Sequence, residues 1–229
     1  MELNSDFTQR VVIHSEQLEW QPSPMPGVSR RMLDRIGDEV ARATSIVRYA
    51  PHSKFSPHIH GGGEEFIVLD GIFQDEHGDY PEGFYVRNPP QSSHTPGSEV
   101  GCSIFVKLWQ FDPQDRTEVR INMDEVSAVP APDRPGVLVT PLFKDEREEV
   151  QLEEWDAHTK VKIYAPGGAE LLVLEGSFIE GKDTFYSQSW LRVPKNSQLL
   201  AQTGSQKARV WIKTYQDFVI EAEQRLFSA

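Results

Sequence analysis

The chain has 229 residues, 38% of them hydrophobic and 25% charged, with a formal net charge of −12. That length suits one large β domain or two of roughly 100 residues each, and no apolar run approaches the ~20 residues of a membrane helix. The acidic balance disfavours phosphate backbones, so no nucleic-acid and no membrane partner is expected.

In chain order, Met1-Glu2-Leu3-Asn4-Ser5-Asp6 shows no basic stretch leading into an apolar one, which points to a cytoplasmic protein. Cys102, the lone cysteine, allows no internal disulfide and reads as a small buried residue. Arg10-Val11-Val12-Ile13-His14 reads as a first strand, followed by a proline-stiffened connection at 21–27. Val28 to Leu33 and Thr44 to Tyr49 read as strands around a turn at Gly37-Asp38. Arg30, Arg31 and Arg35, interrupted by Asp34, read as a mixed solvated face. Short apolar runs bounded by Pro, Gly, Asp and Ser continue throughout, so the fold class is all-β, a sandwich or barrel. Only 215–227, with Phe218, Ala222 and Leu226 at spacing four, suggests a short helix.

The candidate site is His58-Ile59-His60-Gly61-Gly62-Gly63-Glu64, answered by His94 after Pro89-Pro90. Histidines two apart share one face of a strand. Glu64 and His94 then complete a set of metal ligands, His58, His60, Glu64 and His94, that suits Fe, Zn, Mn, Ni or Cu and not Ca or Mg. The triple glycine is expected to let the backbone turn tightly. His14, His52, His77 and His158 read as surface or satisfied residues, with His52 near enough in sequence to support a ligand from behind. Phe66, Phe84, Tyr85 and Phe105 read as core aromatics that could also wall a substrate pocket.

These spacings, the HxH pair with a glutamate four on, Gly71, Gly83 and His94, resemble the two motifs of cupins, whose fold is a jelly-roll barrel. The wording Gly62-Gly63-Glu64-Glu65, Asp75-Glu76, Gly78-Asp79-Tyr80 and Gly101-Cys102 resembles the cupin domain of ChrR-type anti-sigma factors, and related dioxygenases that cleave diketones or hydroxyacetophenones. Two positions that are usually glycine are His52 and Gln91, which puts loop geometry at issue. The resemblance implies one first-row metal per chain, a small-molecule substrate of diketone or hydroxy ketone type, Glu64 as the catalytic base, and a homodimer. Its alternative is a regulatory, metal- or stress-sensing cupin. Sigma-factor binding is not expected, because no helical module with its own zinc ligands stands between Met1 and Trp20.

The second half repeats the first. Gly62–Phe73 corresponds to Gly167–Phe178 at an offset of 105, which also carries Val86-Arg87-Asn88-Pro89 to Leu191-Arg192-Val193-Pro194. Pro26-Gly27-Val28 is echoed by Pro135-Gly136-Val137. A tandem of two cupin barrels is therefore expected, with 1–126 as the metal-bearing barrel, a proline-rich linker at 127–135, and 136–229 as a degenerate one. Matching Tyr49-Ala50-Pro51 to Tyr164-Ala165-Pro166 leaves the second copy without the segment that carries the two histidines. Glu64 falls on Ala169 and His94 on Leu199, whereas Glu65 keeps Glu170, which favours Glu64 over Glu65 as ligand.

Overall fold

A computed structural model describes residues 1–38 and 40–216, so the helix expected over 215–227 lies almost wholly outside the described residues. What is described is β-sheet with one short 3-10 turn at Ser15–Gln17, and no helix is long and apolar enough to cross a membrane. The reason is legible in strands such as Lys160–Ala165, where Val161, Ile163 and Ala165 are buried and the residues between them exposed. Such period-two burial fits a sheet with one dry face.

The described residues form two compact units that do not follow a single cut in the chain. The first takes Met1–Ser5 and Leu18–Asp124; the second takes Asp6–Gln17 and continues from Glu125. Main strands of the first run in the spatial order Val28–Gly37, Ala41–Tyr49, Cys102–Leu108, Glu64–Asp75, Phe84–Asn88, Val119–Asn122. The second repeats that order with Val137–Lys144, Glu148–Trp155, Ser197–Tyr215, Ala169–Glu180, Ser189–Val193, Val11–His14. Against the one boundary expected at 127–135, the Val11–His14 strand thus edges the second sheet, with His14 opposite Ser189. Val119–Asn122 holds the corresponding place in the first, with Asn122 opposite Phe84. Inside the expected linker, Val129–Pro130 pairs with the Val137–Lys144 strand.

Strand register also corrects the alignment of the repeats. In the first unit His94 pairs with His58 and Ser93 with Ile59; in the second Leu199 pairs with Ile163 and Gln198 with Tyr164. The ungapped offset of 105 therefore holds across the histidine segment, and Tyr49 corresponds to Trp155, each opposite the start of its partner strand. No segment is missing from the second copy. Its Lys160–Ala165 strand occupies the place of the histidine motif, with Ile163, Ala165, Ala169 and Leu199 where His58, His60, Glu64 and His94 stand. All four belong to the buried apolar cluster of that unit. Burying an Ile or Leu side chain is worth about 1.5–3 kcal/mol, so the second barrel fills the site with core.

The two positions expected to disturb the loops do not. His52 and Gln91 have φ of 60° and 74°, the left-handed region a glycine would favour, and their repeat counterparts His158 and Asn196 have φ of 58° and 62°. The strand bulges are stricter: Gly71 and Gly176 have φ of 74° and 73°, and a Cβ on either would overlap the carbonyl oxygen of Gly101 or Lys207. Gly71→Ala and Gly176→Ala are each expected to cost more than about 2 kcal/mol in urea unfolding. Gln91→Gly, in contrast, relieves left-handed strain and is expected to be neutral or stabilising by up to about 1 kcal/mol.

Candidate metal centre

His58 lies on a two-residue strand opposite Ser93–His94, and His60 follows on the same face. The His60 backbone is fixed at both ends: its N–H donates to the Ser92 carbonyl at 2.9 Å, and its carbonyl accepts from Gln91 N–H at 2.8 Å. Glu64 opens the long strand beside them, opposite Asn88. Only Gly63 of the triple glycine has positive φ, at 79°; Gly61 is bare for a different reason, since a Cβ there would stand 2.7 Å from the Trp109 ring. The glycines let that indole lie flat on the loop.

The donor atoms of His58, His60, Glu64 and His94 all lie within 4.8 Å of one another. His60 Nε2 is 3.2 Å from His94 Nε2, and Glu64 Oε2 is 3.4 Å and 3.5 Å from those two nitrogens. Ligands about 2.0–2.2 Å from one ion stand about 3–3.5 Å apart when adjacent, so these edges have the size of a coordination polyhedron. His60, Glu64 and His94 are buried, and His58 is exposed. Three imidazoles and a carboxylate in that arrangement could bind a metal ion.

A surrounding shell sets the tautomers. Ser92 Oγ donates to the Pro89 carbonyl at 2.6 Å, which turns its lone pair to His60 Nδ1 at 2.9 Å and leaves the His60 Nε2 lone pair for the centre. His94 Nδ1 faces Asp75 Oδ2 at 3.3 Å, and the other Asp75 oxygen accepts the backbone N–H of His77 at 2.8 Å, tying His94 to the adjacent hairpin turn. Glu64 Oε2 accepts from Asn88 Nδ2 at 3.2 Å. Burial pushes His60 down to about 4 against the pull of Glu64, so it is a neutral donor. Burial works against a charge on His94 as well, but the Asp75 bond and the Glu64 carboxylate outweigh it and hold His94 above the usual range.

Asp75, Asn88 and Ser92 were not singled out as supports from the sequence. Asp75 sits in a stretch that reads as a solvated turn, yet its side chain is 2% exposed. A usable signal existed for Asn88: it faces Glu64 across the strands, and the pair becomes Val193 opposite Ala169 in the second unit. His52 is exposed and bonded to Glu99 at 2.6 Å, away from the cluster. Glu65 instead accepts the Tyr85 hydroxyl at 2.6 Å, as its counterpart Glu170 accepts that of Tyr215 at 2.7 Å. Burial pushes the Cys102 thiol up to about 11, so it carries no thiolate.

A cavity of about 370 Å³ opens beside the cluster, with His58, His60 and Glu64 on its wall. Its aromatic lining is Tyr49, Phe55 and Trp109 rather than the expected Phe66, Phe84, Tyr85 or Phe105. Burial and then the Glu64 charge push the Tyr49 phenol up, which keeps it protonated. The three arginines do not form a solvated face either: Arg31 lies 4.3 Å over the Trp20 ring, Arg35 is buried, and Arg30 and Arg35 line this cavity.

Residues 8–112 match the ChrR cupin-like domain family. No curated protein matches the chain. Among solved structures, a protein of Nostoc punctiforme provisionally described as a dioxygenase is similar at a TM-score of 0.76 and 16% identity, covering 92% of this chain and 83% of that one. The Ylba protein of E. coli gives 0.69 at 13% identity, over 93% and 94% of the two chains. Oxalate decarboxylase of Lactobacillus farciminis, solved with formate, gives 0.62 at 9% identity, over 91% and 86%. The chain thus has the jelly-roll fold of these cupin structures, and the residues that match the ChrR cupin-like family are the ones that carry the HxH–Glu–His cluster.

The Glu64–Asn88 pair is expected to behave as one unit. In protein stripped by a chelator, the double variant Glu64→Ala/Asn88→Val, which copies Ala169 and Val193, should cost less than the sum of the two single variants by about 1 kcal/mol in a urea-unfolding cycle.

Proposed function

We propose that His58, His60, Glu64 and His94 hold one divalent first-row transition ion. On this reading the first unit is the working barrel of a metal-dependent oxygenase for a small diketone or hydroxy ketone. One observation carries the proposal: three imidazoles and a carboxylate meet beside a cavity that has His58, His60 and Glu64 on its wall, and the repeat replaces all four with apolar side chains. A nitrogen-rich set favours Fe, Mn, Ni or Zn over Ca or Mg. When bound there, such an ion supplies a Lewis acid for a chelating enolate and, if it is iron, redox chemistry towards dioxygen.

The chain's own residues have distinct tasks. His60 presents a neutral lone pair with its ring held by Ser92, and Asp75 holds the ring of His94. Glu64 engages Asn88 and the imidazoles through Oε2, while Oε1 makes no hydrogen bond among the described residues. That oxygen takes the proton lost when the substrate enolises. Val106, Leu108 and Trp109 keep water from the reacting end of the cavity. A second reading, a regulatory metal site without turnover, is favoured by the ChrR-like match.

Metal analysis of freshly purified protein should find about one ion per chain, with His58→Ala and His94→Ala each weakening retention at least about tenfold. Iron-loaded protein mixed with 2,4-pentanedione or 2-hydroxyacetophenone without oxygen should change its absorption spectrum and then consume dioxygen on exposure to air. Glu64→Gln should slow that consumption. Full metal retention by His94→Ala would remove the site, and tight metal binding without spectral change would favour the regulatory reading.

A further inference from the structure

The Val28–Gly37 strand brings two guanidinium groups to the metal-site cavity. Arg35 pairs with Ala43, Ala43 with Leu108 and Leu108 with Glu64, so Arg35 stands in the same row of the sheet as the carboxylate ligand. At about 4.8 Å per strand the row is roughly 14 Å long, a gap that two inward side chains and a small molecule between them can close. Arg30 stands in a parallel row, opposite Val47, which is opposite Ile104. Both arginines line the cavity that holds His58, His60 and Glu64.

Among the described residues Arg30 has no hydrogen-bonding or ion-pair partner, and its Nε is buried without a hydrogen bond. Among the described residues Arg35 is hydrogen-bonded to backbone, with Nε donating to the Gly37 carbonyl at 3.2 Å and the guanidinium also to the Asp38 carbonyl, while the exposed Asp38 carboxylate attracts it. Burial and then the charge of Arg30 hold Arg35 below the usual arginine range, so the two guanidinium groups repel each other. Among the described lining residues Glu64 is the sole acidic side chain. Arg30 is half-buried, and a partly desolvated cation with no ion pair among the described residues carries a cost that a bound anion would offset.

The repeat supplies a control. Arg87, Lys107 and Glu65 have charged counterparts in Arg192, Lys213 and Glu170, all buried, in the barrel without ligands. Arg30 does not. Its place opposite Glu153, the counterpart of Val47, is taken by Val139, which packs on the apolar cluster. Arg35 becomes Lys144, a surface residue paired with Glu149 at 2.9 Å. The cavity arginines thus change with the metal ligands, and the structural charges do not.

We propose that this cavity takes an organic anion, with its carboxylate on Arg30 and Arg35 and its other end at His58, His60 and Glu64, so that the substrate is an acidic carbonyl compound such as a keto acid. The reactive end of this assignment rests on the metal-site reading. The carboxylate end does not.

Calorimetric titration with phenylpyruvate and its methyl ester tests it, in holoprotein and in chelator-stripped protein. The acid should bind at least about tenfold more tightly than the ester. Arg30→Gln should abolish that preference while leaving the ester within about twofold, and Arg30→Lys should fall between. The preference should survive metal removal and the His94→Ala substitution, so failure of the metal reading would leave this one standing. Equal affinity for acid and ester overturns the proposal, as does an unchanged preference in Arg30→Gln. Absence of binding by acetate, pyruvate and phenylpyruvate alike at millimolar concentration also overturns it. Should Arg30→Gln fail to fold, an unaltered preference in Arg30→Lys counts against bidentate capture.

Discussion

A carboxylate buried between two imidazole nitrogens is the constraint around which the first barrel is arranged. Glu64 Oε2 stands 3.4 Å and 3.5 Å from His60 and His94, with side chains nearly out of reach of water. Withdrawing such groups from water costs several kcal/mol unless a positive charge is shared among them. Every neighbouring feature reduces that cost or fixes the groups: Asn88 on Glu64, Ser92 on His60, Asp75 on His94. A barrel that holds no such centre gains by replacing the whole set with carbon, and the second unit has done so with Ile163, Ala165, Ala169 and Leu199.

The comparison of the two barrels separates what the fold requires from what the site requires. Glu65 and Glu170, Arg87 and Arg192, Lys107 and Lys213 are buried in both. These charges belong to the architecture, held by partners such as the Tyr85 hydroxyl on Glu65 and Glu148 on Lys213. Left-handed turns at His52 and His158, and at Gln91 and Asn196, are likewise shared. His58, His60, Glu64, His94, Asn88 and Arg30 are not. Within a single chain, then, the repeat acts as a substitution experiment on a common backbone.

Much of this was legible in the sequence because the governing interactions are local. The HxH spacing, the carboxylate four residues on and the offset of 105 are short-range patterns, and strand periodicity makes them geometric. Three things were not legible. A Tyr-Ala-Pro match drew the alignment of the histidine segment out of register, because Ile163 and Ala165 share no chemistry with His58 and His60; only the pairing with Leu199 restores it. Asp75 looked like turn solvent-facing acid, since its turn residues His77 and Asp79 are exposed while its own side chain folds inward to His94. Arg30 and Arg35 looked solvated because the sequence alternates charge there, and the bulge between Met32 and Asp34 that turns Arg35 inward is a tertiary event.

The reciprocal edge strands have a consequence for how such a chain arises and assembles. Val11–His14 completes a sheet whose neighbouring strand lies near residue 190, and Val119–Asn122 completes the sheet that comes before it in the chain. Joining two copies of a strand-swapped homodimer end to end produces this pattern, whereas duplicating a self-contained barrel does not. During synthesis the first of these strands leaves the ribosome long before its partner exists. It must wait as an unpaired edge, and the second barrel closes last.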